Sequence, residues 1–150
     1  MKDTTYLDYP FQLSEIPHEY GENVHLISDP LLMSWLTRLS SPEPTQPAIT
    51  HLARELYTSL LKTVIARETP RVEVQSPTRI LSVSPKGVWQ GQILNPETRF
   101  VTVDIARAGT LPSQIAFELL NTVVNPHGVR QDHLYMNRAT NEAGEVCGIN

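Results

Sequence analysis

The stretch Phe100-Val101-Thr102-Val103-Asp104-Ile105-Ala106-Arg107-Ala108-Gly109-Thr110-Leu111-Pro112 decides how this chain is read. Four of its first six residues are Val, Ile or Phe, the β-branched and aromatic types that suit a pleated strand. The run breaks at a loop of small residues carrying one guanidinium, Arg107. It restarts as a helix, with Thr110 or Leu111 near the cap and Pro112 in the first turn. A strand that enters a helix through a short Gly-containing loop leaves backbone N–H groups free at the helix start. Those groups and the positive end of the helix dipole favour an anion. An Arg in that loop adds a planar, permanently charged fork that matches phosphate. The other reading of the same stretch is a plain strand-to-helix turn with a solvated Arg.

Downstream, Ile115, Ala116, Leu119, Leu120 and Val123 give one apolar helical face, and Asn125-Pro126-His127-Gly128 ends it. Asp132-His133-Leu134-Tyr135-Met136 reads as the next strand. Arg138 follows on a polar segment ending at Gly144-Glu145-Val146. Strand, helix, strand is a β-α-β unit, which favours a parallel sheet with a crossover helix. Only two strands of such a sheet are evident, little for a complete α/β domain.

Upstream, Val72 and Val74 alternate with Arg71, Glu73 and Gln75 as a half-exposed strand, interrupted at Pro77. Ile80-Leu81-Ser82-Val83 and Val88 to Leu94 flank Ser84-Pro85-Lys86-Gly87, which predicts a hairpin. Asn95-Pro96-Glu97 is a second turn. The longest helical pattern runs from Ala48 to about Arg67. Its stripe of Ile49, Leu52, Ala53, Leu56, Leu60 and Val64 is widened by Tyr57, Leu61 and Ile65. A stripe that broad predicts a well-buried helix and self-association into a homodimer or larger assembly. Ser28-Asp29-Pro30 starts an earlier helix with its apolar face on Leu32, Trp35, Leu36 and Leu39, after a short extended run, Asn23 to Ile27. The domain reading is an amino-terminal arm over residues 1–22, ordered by docking, and one unit over residues 23–150. Tyr6, Leu7, Tyr9 and Phe11 give the arm apolar handles.

The totals bound the possibilities. At 150 residues with 40% hydrophobic and 19% charged residues, the chain suits one domain with a core. A net charge of −4 and pI near 5.7 argue against a non-specific nucleic-acid binder. Cys147 is the single cysteine, so no disulfide forms within the chain. Met1 to Thr5 lacks the apolar core of a signal peptide, and no run approaches the roughly 18 apolar residues that span a bilayer. These features lead to the expectation of a soluble, cytoplasmic protein with no nucleic-acid or membrane partner.

Three stretches taken in order resemble the uracil phosphoribosyltransferase family. Asn23-Val24-His25-Leu26-Ile27-Ser28-Asp29-Pro30-Leu31 resembles its opening strand and "His-Pro-Leu" helix start. Ile105-Ala106-Arg107-Ala108-Gly109 resembles its "Leu-Arg-Ala-Gly" pyrophosphate loop. Met136-Asn137-Arg138 with Glu142 to Val146 resembles its "Met-Tyr-Arg" strand end and the acidic hairpin after it. The likeness spans residues 23–150. It implies an α/β fold: an incomplete phosphoribosyltransferase-like core with a doubly wound, mostly parallel sheet, amino-terminal helices and a β-hairpin arm. It also implies the reaction of uracil with phosphoribosyl pyrophosphate to give UMP and pyrophosphate, in pyrimidine salvage, with Mg²⁺ held mainly by the substrate.

Carried over by residue, the resemblance gives Arg107, Ala108 and Gly109 to the pyrophosphate of phosphoribosyl pyrophosphate. Arg138 reaches the same group from the neighbouring strand end. Two guanidiniums there stabilise charge on a leaving pyrophosphate, with no covalent nucleophile and no catalytic residue assigned. A non-proline cis peptide beside Arg107 would match family loops of this kind. The chain departs from the pattern at Asn137, where the family often has an aromatic residue, and at Thr110-Leu111-Pro112, in place of Leu-Gly-Met. Nothing matches the family's Thr-Gly-Gly or Thr-Gly-Ser loop for the 5′-phosphate, nor its uracil-reading tail. The expectation is therefore the amino-terminal part of such an enzyme, inactive alone and able to take uracil only if the rest is supplied. The rival is a non-catalytic oligomerisation or phosphate-binding module on the same fold.

Other residues point nowhere in particular. His25, His51, His127 and His133 lack metal-ligand spacing, and no metal site is expected. Cys147 has no obvious base nearby. Trp35 and Trp89 read as packing residues. Asp132 and Glu142 read as solvated or salt-bridged acids. Asp104, inside an apolar strand, reads either as an edge-facing residue or as a partner for a nearby Arg.

Overall fold

The computed structural model describes residues 9–149, so part of the amino-terminal arm lies outside the described residues. Two helices lead. α1 (Pro30–Ser40) starts where Asp29 caps it, its carboxylate accepting from the N–H groups of Leu31 at 2.8 Å and Leu32 at 3.3 Å. A cap of this kind is worth about 1 kcal/mol. α2 (Ala48–Glu68) follows the proline-rich loop. β1 (Arg71–Pro77) and β2 (Val88–Leu94) form an antiparallel pair running from Arg71 opposite Leu94 to Pro77 opposite Val88. β3 (Phe100–Ala106), α3 (Thr110–Val123) and β4 (Val129–Tyr135) then make the β-α-β unit. β3 and β4 pair in parallel, Phe100 opposite Val129 through Ala106 opposite Tyr135. A last antiparallel pair joins β5 (Arg138–Thr140) to β6 (Val146–Ile149).

The class is mixed α/β, and its sheets are three separate pairs of strands, one of them parallel. Double winding needs crossovers on both faces of a sheet. Among the described residues only α3 links parallel strands.

The core sits where α3 meets β3 and β4. Ile115, Ala116, Leu120 and Val124 are buried there; of the face predicted from the sequence, Leu119 is half-buried and Val123 is exposed, and Val124 is buried in its place. Three polar residues are buried as well: Asp104, Ser113 and Thr69. On β3 the face turned inward is the more polar one. The Thr102 and Asp104 face turns toward α3, while Val101, Val103 and Ile105 stay 62%, 55% and 53% exposed. That apolar face has no cover among the described residues, and neither outer edge of the β3–β4 pair bonds to another strand there.

Three local readings are corrected. Ile80 to Val83 is not a strand: Arg79–Ser82 is a short 3₁₀ turn. Pro77 ends β1, and the N–H of Thr78 bonds Gly87 O at 2.8 Å, closing the pair before Ile80 is reached. The Leu81 backbone passes so close to Gly87 that an added Cβ would lie 2.5 Å from Leu81 N. Asn23 to Ile27 is not a strand either, but holds an isolated antiparallel bridge between Ile27 and Glu15. Finally, α2 is not well buried: Leu52 is its one buried residue, with Tyr57, Leu60 and Val64 exposed. Its stripe is wider than α1 and α3 cover.

The described part of the arm docks on the chain itself. Ile16 N–H bonds Leu26 O and Ser28 N–H bonds Ser14 O, both at 2.8 Å. Glu15 meets His25 Nδ1 at 2.7 Å, and Arg71 donates to Tyr9 O at 2.9 Å from over the tyrosine ring.

Candidate functional site

The turn between β3 and α3 is built by close approach. Gly109 lies against Asp104 and Ile105, where an added Cβ would sit 2.8 Å from Asp104 Cβ and 3.0 Å from Ile105 O. Gly109 is also the cap of α3, and no side chain caps that helix. The first turn of α3 itself carries no acidic residue, although the Asp104 carboxylate lies beneath it with Oδ2 3.4 Å from Thr110 Oγ1. Within the turn, Gly109 N–H bonds Ile105 O at 3.1 Å and Thr110 N–H bonds Arg107 O at 3.2 Å. Among the described residues, the N–H groups of Arg107 and Ala108 have no acceptor. The free donors are thus those of Arg107 and Ala108, whereas Gly109 contributes closeness and not its N–H. The peptide bond between Ala106 and Arg107 is cis.

An open cleft of about 720 Å³ lies at the carboxyl end of β3. Arg107, Ala108, Gly109 and Arg138 all line it, together with Thr102, Pro112 and one carboxylate, Asp104. Residues 31 positions apart in the chain (Arg107 and Arg138) are therefore brought to one cleft. Both arginines are exposed, and neither meets a carboxylate within salt-bridge distance among the described residues. Arg54, Arg67 and Arg130 are paired with Glu or Asp; Arg38, Arg71, Arg79 and Arg99, like the two arginines of the cleft, have no such pairing among the described residues. A cleft with two unengaged guanidiniums, two free N–H groups and an uncapped helix start suits a ligand with several phosphoryl oxygens.

Asp104 lies beneath this turn and does not partner an arginine. Its Oδ1 lies 2.6 Å from His133 Nδ1, and Thr110 Oγ1 is 3.4 Å from Oδ2. His133 was legible only as a histidine without metal spacing. The available signal was register: Asp104 and His133 each occupy the fifth position of their seven-residue parallel strands.

A second cavity, of about 580 Å³, lies between α1, α2 and the arm. Its walls are apolar residues such as Leu32, Leu36, Leu56 and Leu60, with His25 at one side. It holds no donor set for a phosphate.

The chain is similar in fold to the AQ2163 protein of Aquifex aeolicus. The likeness has a TM-score of 0.51 at 19% identity and covers 81% of this chain. This chain spans about half of that protein, 51% of its length. No family model and no curated protein matches the sequence. Among the described residues there is no group of three or more His, Cys, Asp or Glu that would hold a metal ion, and no helix is long and apolar enough to cross a membrane.

Proposed function

We propose that this chain carries the pyrophosphate-binding half of a phosphoribosyltransferase-like site, of the uracil-specific kind. The observation that carries the reading is the meeting of Arg107 and Arg138 in one cleft at the carboxyl end of a parallel strand. Ligands of parallel α/β sheets gather at that end. In this reading Arg107 and Arg138 grip the pyrophosphate of phosphoribosyl pyrophosphate, and the N–H groups of Arg107 and Ala108 reach its oxygens. Mg²⁺ would travel with the ligand, held by its phosphate oxygens, and lower the charge the arginines must balance. The protein positions the leaving pyrophosphate and stabilises its growing charge.

The apolar face of β3 and the strand edges, uncovered and unpaired among the described residues, support a half-domain over a self-sufficient module, which would cap both. The chain has no Thr-Gly-Gly or Thr-Gly-Ser turn, so binding without turnover is expected from these residues alone. Calorimetric titration of the purified chain with phosphoribosyl pyrophosphate and Mg²⁺ tests the reading. Binding that is lost in Arg107→Ala is the expected result. A folded chain that binds nothing would overturn it and favour the non-catalytic module.

A further inference from the structure

The face of β3 that packs on α3 carries polar residues where an α/β core ordinarily carries Val or Ile. Two successive register pairs on that face are polar. Thr102 lies opposite Gln131, and Asp104 lies opposite His133. Ser113 of α3 bridges the first pair, 3.4 Å from Thr102 Oγ1 and 3.1 Å from Gln131 Nε2. The second pair is joined directly at 2.6 Å, with Thr110 of α3 on the other carboxylate oxygen. An ionised carboxylate only accepts, so His133 Nδ1 carries the hydrogen and donates it. Asp104 is 7% exposed, and breaking a buried charged contact is costly because the remaining charge loses its partner.

The position of this pair gives it a further consequence. Arg107 stands three residues after Asp104 on the way out of β3. Arg138 stands five residues after His133 and opens β5, with two residues between it and the end of β4. The contact therefore ties together the carboxyl-end halves of β3 and β4, one leading into the turn of Arg107 and the other, through Met136 and Asn137, into β5, which Arg138 opens. The same Asp104 backs Gly109, which sets the height of the turn.

We propose that Asp104 and His133 form a cross-strand clamp that fixes the separation of Arg107 and Arg138, so that both engage one ligand carrying two linked phosphoryl groups. Both are positioning residues; neither needs to touch the ligand. The inference rests on the reading of the cleft as a pyrophosphate site. Two donors held at a set distance gain from each other only when one ligand spans them. The clamp should therefore matter for pyrophosphate and hardly at all for orthophosphate, which one arginine and the turn can hold.

The test measures affinity of the purified chain for Mg²⁺-pyrophosphate by calorimetry and for orthophosphate by phosphorus NMR titration. His133 is at the surface side of the pair, so His133→Ala tests the clamp without emptying the core. It should weaken pyrophosphate binding about tenfold while orthophosphate affinity stays within about twofold. His133→Asn, whose side-chain amide places a donor near the Nδ1 position, should recover most of the loss. Asp104→Val, which removes the acceptor while keeping the side-chain volume, should behave like His133→Ala. Equal loss for both ligands would mean a structural role only and overturn the clamp. Unchanged pyrophosphate affinity in His133→Ala would overturn it too, while leaving the cleft reading intact. A folded parent chain that binds neither ligand would overturn the cleft reading and the clamp with it.

Discussion

The β3-α3-β4 unit and the α1–α2 pair make opposite use of apolar side chains. In the first, α3 buries Ile115, Ala116 and Leu120 against a sheet face that is itself partly polar, and hydrogen bonds join all three elements. In the second, a long, broadly apolar helix buries only Leu52 and lines an open apolar cavity with α1. The difference teaches that an apolar stripe predicts a helix but not its cover. Where polar cross-ties accompany the stripe, the element is seated within its own chain. On α2 the cross-ties themselves lie at the surface, Arg54 with Glu118 and Arg67 with Glu15, and the stripe stays exposed.

The largest effect that would sharpen this contrast comes from truncating one side chain in each region. Ile115 is 2% exposed, and Ile115→Ala should cost about 2–5 kcal/mol in urea unfolding. Val64 is 53% exposed, and Val64→Ala should stay within about 0.5 kcal/mol. A comparable loss at both positions would break the contrast, showing that α2 is covered in solution.

A smaller effect probes the turn. Gly109→Ala forces a Cβ to 2.8 Å from Asp104 Cβ, and overpacking of this kind costs about 1–3 kcal/mol. Gly148→Ala, whose Cβ would meet Ala139 at an ordinary 3.8 Å, should change stability by less than about 0.5 kcal/mol. Equal stability of the two variants would show that the turn is looser than its geometry.

How far these regions were legible in the sequence follows the range of the forces involved. The starts of α1 and α3, the span of α2, and β2 and β3 rest on caps, prolines and periodicity, which act within a few residues. The placement of Arg107 and Arg138 in one cleft was reachable only through resemblance, because no local pattern links positions 31 residues apart. The exposed face of β3 was not legible. Val101, Val103 and Ile105 mark a strand, but their residue types do not say which face is covered, and the face turned to α3 is the one carrying Thr102 and Asp104. The Ile80 to Val83 segment misled for a related reason: its β-branched residues fit a strand, but Pro77 and the Thr78–Gly87 bond close the pair first.

The smallest effect concerns the seam between α2 and α3. Glu118 accepts from Gln114 Nε2 at 3.0 Å and from Arg54 at 3.1 Å. Its carboxyl is held below the usual range, first by the Gln114 hydrogen bond and then by the Arg54 charge, against the opposing effect of burial. A lowered carboxyl pKa stabilises the fold above the ordinary glutamate range, and that contribution fades as pH falls through the lowered value. Glu118→Gln should therefore unfold at a slightly lower temperature than the parent at neutral pH. The difference should close on acidification. A gap that widens at low pH would contradict the assignment.

The central claim is that Arg107 and Arg138 serve one polyphosphate ligand. Calorimetric titration with Mg²⁺-pyrophosphate of the parent, Arg107→Ala, Arg138→Ala and the double variant tests it most directly. The parent should bind one ligand per chain, and each single variant should lose about tenfold or more in affinity. The double variant's loss should differ from the product of the two, as it does for groups that share a partner. Parent-like affinity in Arg138→Ala, or no binding by a folded parent, would contradict it.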